Sequence, residues 1–304
     1  MFWVFIYCKM PKDNLRSYFL LHFIVFIWGF TAILGKLISI DALPLVWYRM
    51  GLAALIIYGY MRFKRIPLKV SRKTFFILLI AGITIALHWV TFFTAIKVSN
   101  VSIALATMSA GALFTALLEP LWYGRKLILY ELLFGLLVIL GLLMIYKVNT
   151  QYVYGILLAL VSALLGAVFT LINGQLIKVH KPATISFYEL SSGAIFLSLI
   201  LGFQSEFNAD FFAISAMDWV YLLILASICT SFAFIASVKV MRFVSPYTVM
   251  LTVNMEPVYG ILMAFFIFGE SEKMNVYFYL GALVILATVV INGILKNKGA
   301  QEAS

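Results

Sequence analysis

Residues 244–268 read VSPYTVMLTVNMEPVYGILMAFFIF, from Val244 to Phe268. As a helix rising about 1.5 Å per residue, this run crosses a hydrocarbon core of about 30 Å. Glu256 is its one charged residue and falls close to the bilayer midplane. A carboxylate there costs about 2.5–3.5 kcal/mol on insertion scales, so it must face a cavity or a partner and not lipid. Pro257 removes a backbone donor and crowds the carbonyl one turn earlier, which frees backbone groups beside the acid. Two readings follow: a functional intramembrane acid, or a protonated or paired one that joins helices.

The rest of the chain has the same character. Apolar residues make up 64% of its 304 positions and charged residues 11%, against about 45–50% and about 25% in soluble domains. This is the composition of an all-α integral membrane protein in a lipid bilayer. Ten spans of about 20 residues consume nearly the whole length and leave no room for a soluble catalytic domain. Cys8 and Cys229 fit no metal or redox spacing, and no cofactor is implied. The net charge of +10 does not indicate a nucleic-acid partner, because the basic residues gather in alternate loops, as topology signals do.

The spans fall at 17–38, 42–62, 74–97, 99–122, 127–147, 152–178, 182–204, 216–239, 244–268 and 274–295. One set of loops and termini holds seventeen basic residues, from Lys9 through Arg62–Lys73 to Lys298; the other holds only Lys97, Lys147 and Lys273, beside several acids. The positive-inside rule then puts segment 1–16 and tail 296–304 in the cytoplasm, in a multi-pass inner (cell) membrane protein. An even number of spans is independently required. Met1–Cys8 is apolar but too short to span, and no small-residue cleavage site follows, so 17–38 reads as a retained first span. Either Met1 or Met10 serves as the start.

An internal repeat appears once the spans are drawn. Ala95-Ile96-Lys97 stands opposite Val240-Met241-Arg242, Tyr123-Gly124 opposite Phe268-Gly269, Gly135–Leu140 opposite Gly281–Leu286, and Trp47-Tyr48-Arg49 opposite Phe187-Tyr188-Glu189. Each repeat, 17–147 and 152–295, carries five spans. Five is odd, so the second enters the membrane from the opposite side. Such inverted five-helix repeats suit alternating access around a site at their interface.

Ten spans in two repeats, Trp28-Gly29-Phe30-Thr31 in span one, Arg49 in span two, and Glu256-Pro257 ahead of Phe268-Gly269-Glu270 resemble the EamA-type transporters of the drug/metabolite transporter superfamily. The resemblance covers residues 20 to 295. It implies a secondary transporter, frequently an exporter, of small metabolites, with a central cavity between the repeats and spans five and ten at the periphery. The family's Gly-Glu after span nine is present as Gly269-Glu270, whereas the first repeat has Gly124-Arg125.

The candidate substrate-binding residues are the polar and aromatic groups inside the spans. Thr252, Glu256, Tyr259 and Met263 follow helical spacing and share a face; Asn254 points away from Glu256 by about 200° unless Pro257 distorts the helix. The first-repeat counterparts, Ser109 to Ala112, are small and suit close packing. Arg49 either snorkels outward or binds an anionic group, and Glu189 lies at a different depth. Lys36 reads as snorkelling, and Glu119 as pairing with Arg125 or Lys126. His88 is a proton relay or a neutral hydrogen-bonded histidine. Asn173 binds substrate or bonds between helices, and Trp28 and Trp89 are the aromatics for a cavity wall.

These residues suit a small-molecule substrate of amphiphilic or amino-acid-like chemistry, with Glu256 as a proton-coupling group. No His-Glu-x-x-His or Gly-x-Ser-x-Gly occurs, so an intramembrane enzyme is disfavoured. A channel or scaffold is the alternative, although a channel calls for a polar stripe along several spans. Monomer and homodimer are both open.

Overall fold

The computed structural model describes residues 15–124, 129–148 and 150–302. The Met1/Met10 question and the pairing of Glu119 with Arg125 or Lys126 lie outside the described residues. The elements are α1 (Leu15–Leu37), α2 (Ala42–Phe63), α3 (Arg72–Val98), α4 (Val101–Met108), α5 (Gly111–Tyr123), α6 (Leu129–Val148), α7 (Val153–Leu176) and α8 (Pro182–Phe203). There follow α9 (Ala209–Phe212), α10 (Ala216–Ala226), a π-helical turn Ser227–Phe232, α11 (Ala233–Val240), α12 (Pro246–Val253), α13 (Glu256–Phe268) and α14 (Val276–Glu302). No strand occurs among the described residues. Seven stretches there are long and apolar enough to cross a membrane: Arg16–Leu37, Ala42–Phe63, Arg72–Val98, Val101–Tyr123, Val153–Leu176, Pro182–Phe203 and Ala216–Val240.

The expected span 244–268 is therefore not one continuous helix. Pro257 has no N–H to give the Val253 carbonyl, so the ladder stops at Asn254-Met255 and restarts at Glu256, where a proline in the first turn costs nothing. Ser109-Ala110 interrupts the chain between α4 and α5, 145 residues before the second break. No proline explains that first break. Elsewhere local chemistry sets the ends: Ser71 accepts from the Thr74 N–H to cap α3, Asn100 accepts from the Ile103 N–H to cap α4, and Gly124 at φ +69° closes α5.

Phe19, Leu55, Ile195, Phe203 and Phe266 are exposed outer-face side chains of a kind water would not tolerate in such number. Inside, α3 packs on α7 and α8, α2 on α8, and α1 on α13. Gly82 permits the α3–α8 approach, since a Cβ there would collide with the Glu189 carbonyl oxygen. Helices α6 and α14 pack mainly on each other and reach the remaining helices through α5 and α12.

Loops of like charge character meet at the same end of the bundle. At one end Tyr188 Oη donates to the Leu68 carbonyl (2.7 Å) and Arg242 Nη2 to the His180 carbonyl (3.0 Å). At the other, Ser39 donates to Asp218 through both N–H (2.8 Å) and Oγ (2.6 Å), and Lys97 Nζ donates to the Ile38 carbonyl (3.0 Å). Lys36, expected to snorkel, instead meets Glu272 at 2.8 Å because α1 ends against the turn Gly269–Glu272.

Candidate functional site

A chamber with about 760 Å³ of empty space, part of it open to solvent, lies between α1, α2 and α3 on one side and α7, α11, α12 and α13 on the other. Its walls are mainly aromatic and Met side chains, including Trp28, Trp89, Phe169, Phe234 and Met250. Asn173, Met241 and Val249 border it near the end that holds the Leu68 and His180 contacts.

Arg49 enters from α2 and is 2% exposed. Its position is set on two sides. Nε donates to Thr230 Oγ1 at 2.7 Å, and the guanidinium lies 3.8 Å from the Trp89 ring centre. A stacked cation of this kind gains from the ring quadrupole. Thr230 is aimed by the π-helical turn, in which its hydroxyl donates to the Leu225 carbonyl five residues back (2.7 Å). Ser231 does the same to Ala226 (2.7 Å). Such turns redirect side chains within otherwise regular helices.

Glu256 opens α13, where the helix dipole favours negative charge. It lines the chamber and is close enough to interact electrostatically with Arg49. The two form no ion pair within 4.0 Å. His88 is fixed by Ser162: Nδ1 lies 2.8 Å from the Ser162 carbonyl oxygen, and Ser162 Oγ donates to the His88 carbonyl (2.8 Å). A carbonyl can only accept, so Nδ1 carries a proton.

Of the residues singled out in the sequence, Trp28, Arg49, His88, Trp89, Asn173 and Glu256 line the chamber. Thr252, Asn254, Tyr259 and Glu189 are not on its wall. Thr252 bonds back to the Thr248 carbonyl (2.9 Å), and Tyr259 sits edge-on to Phe26 beside Gly29. Asn254 is buried in the break. Val249, Met250 and Val253 take the α12 side of the wall, an arc on one flank of Glu256 at helical spacing, and Thr252 and Tyr259 fall on its other flank. Glu189 is wholly buried behind Asn173, whose Nδ2 donates to its Oε2 at 3.4 Å.

Sequence reasoning missed Thr230 and Ser162, although polar residues inside apolar helices are a usable signal. It also missed Glu272. That carboxylate accepts from Lys36 Nζ (2.8 Å), the Val101 N–H (3.0 Å), the Ser102 N–H (2.9 Å) and Ser102 Oγ (2.8 Å), whereas Glu270 makes a surface pair with Lys273.

Comparison with known proteins agrees with this architecture. The chain is 25% identical over 290 residues to an uncharacterized transporter of Archaeoglobus fulgidus, covering 91% of this chain and 97% of that one. It is 24% identical over 229 residues to an uncharacterized transporter of Bacillus subtilis, covering 73% and 71%. A solved crystal structure shares the fold with a TM-score of 0.67 at 14% identity, over 92% of this chain and 98% of the other. The model of the EamA-like transporter family matches twice, over residues 15–147 and 153–294. With both matches together spanning nearly all of its length, this multi-pass membrane chain belongs to the EamA-like transporter family.

Proposed function

We propose that the protein is a secondary transporter that exports small metabolites or amino-acid-like solutes across the cell membrane by alternating access. Ten membrane helices form two inverted halves, 17–147 and 152–295, with both termini in the cytoplasm. The observation that carries this reading is the chamber itself: both family-matched segments contribute to its wall, and Arg49 and Glu256 face it from opposite segments. The paired breaks at Ser109-Ala110 and Asn254-Met255 support it, because interrupted helices border the midplane sites of inverted-repeat transporters.

In this reading the chamber opens to the cytoplasm. Glu272 with Lys36, and Asp218 with Ser39, hold the opposite end shut. Glu256 is the coupling group, and its protonation biases the inward- against the outward-facing state. The chemistry is transport and not catalysis, and neither cofactor nor metal takes part.

Counterflow in proteoliposomes tests the proposal: internal unlabelled solute must accelerate entry of the labelled one, which a channel or scaffold does not do. The variant E256Q must lose the pH dependence of accumulation. Intact accumulation with unchanged pH dependence in E256Q removes Glu256 from coupling.

A further inference from the structure

The Arg49 guanidinium is an incomplete ion-binding arrangement. It carries a full charge and five N–H donors, is nine-tenths or more buried, and lines the chamber. Only Nε has a hydrogen-bond acceptor, Thr230 Oγ1, and Nη1 is buried with no partner at all. No carboxylate forms an ion pair with it among the described residues. Buried charges are ordinarily paired and hydrogen-bonded, and one left alone is strongly destabilising. Trp89 covers one face of the guanidinium, and Thr230 occupies the Nε corner. The two η nitrogens are the donors left without an acceptor.

We propose that this edge binds the carboxylate of the transported solute end-on, through Nη1 and Nη2, so that the substrate class is a monocarboxylate with an apolar body. This rests on the transporter reading given above. A planar carboxylate matches the guanidinium fork with two parallel N–H···O bonds. Arg49 is the one Lys or Arg on the wall among the described residues, and Glu256 shares the chamber. A dianion such as a phosphate monoester would exceed the single positive charge on the wall, which one carboxylate balances. The aromatic and Met walls suit the apolar remainder of the molecule. Substrate would thus complete the coordination of Arg49, and the π-helical turn has the role of holding Thr230 where it orients the fork.

The test uses purified full-length protein in nanodiscs and intrinsic tryptophan fluorescence, in which the wall residues Trp28 and Trp89 report beside four other tryptophans. Matched acid and amide pairs are titrated: phenylacetate and phenylacetamide, 3-phenylpropionate and its amide, phenylalanine and phenylalaninamide, octanoate and octanamide. At least one acid is expected to bind tenfold or more tighter than its amide. R49Q should abolish that preference, and R49K, which keeps charge without the fork, should lose most of it. Equal binding of acids and amides across the set overturns the proposal, as does full acid preference in R49K or R49Q. Should R49Q fail to fold, the wild-type titrations and R49K decide the matter.

Counterflow separates the two readings. Acid-selective binding without counterflow of that acid sinks the transporter reading and leaves the Arg49 assignment standing. Counterflow of a neutral solute that no acid inhibits does the reverse.

Discussion

Replacing Glu272 is expected to weaken the fold more than its place in a short turn suggests. Its side chain is fully buried and accepts four hydrogen bonds, from Lys36 Nζ, two backbone N–H groups that open α4, and Ser102 Oγ. Bonds to a charged acceptor contribute about 1.5–3 kcal/mol each, but members of one cluster do not add. Breaking a buried pair by removing one partner costs about 3–5 kcal/mol, and E272A should fall in that range. E272Q keeps the shape and one acceptor oxygen but turns an amide NH₂ toward N–H donors, for about 2–3 kcal/mol. K36M should also cost about 3 kcal/mol, because it leaves the fully buried Glu272 carboxylate without its counter-charge even though three of the four bonds survive. E270A serves as the control: its carboxylate is 82% exposed and pairs only with surface Lys273, so stability should barely move. Unfolding of each variant by SDS titration from mild detergent, followed by circular dichroism, gives the ranking. E272A within about 0.5 kcal/mol of wild type, the range of a neutral surface change, would refute the reasoning. So would a larger loss from E270A than from E272A.

Three further outcomes are expected. G82V should destabilise by about 1–3 kcal/mol, because its side chain drives α3 off the Glu189 carbonyl and Ser192. G59A, with nothing within 4 Å of the added carbon, should be neutral or gain about 0.5–1 kcal/mol in the same unfolding assay. For topology, a membrane-impermeant maleimide applied to intact cells should label E206C and leave K69C unlabelled until the membrane is opened. The opposite pattern would invert the proposed orientation.

Much of this architecture is written along the chain in one dimension. Hydropathy marks where helices run, and the alternation of Lys and Arg between loops groups those loops into two ends, as the Tyr188–Leu68 and Ser39–Asp218 contacts show. Counting residues from the ends of an apolar run is enough to place Glu256 deep, and Arg49 stands out as a charge inside a span. Helical periodicity gives an arc of side chains but not which flank of it meets the cavity. Across the interruption at Asn254-Met255 the wall keeps Val249, Val253 and Glu256 at helical spacing, and Thr252 and Tyr259 fall on the flank of Glu256 turned from the chamber.

Partnership is what only the tertiary structure decided. Thr230 meets Arg49 from 181 positions away, through an extra residue in a helical turn that no periodic pattern encodes. Glu270 and Glu272 are nearly alike in sequence. A single tight turn exposes the first and buries the second against α4 and Lys36, because side chains two residues apart leave such a turn in different directions. Burial along a chain follows from composition and spacing; which buried polar groups complete one another depends on distances between segments that are remote in the chain.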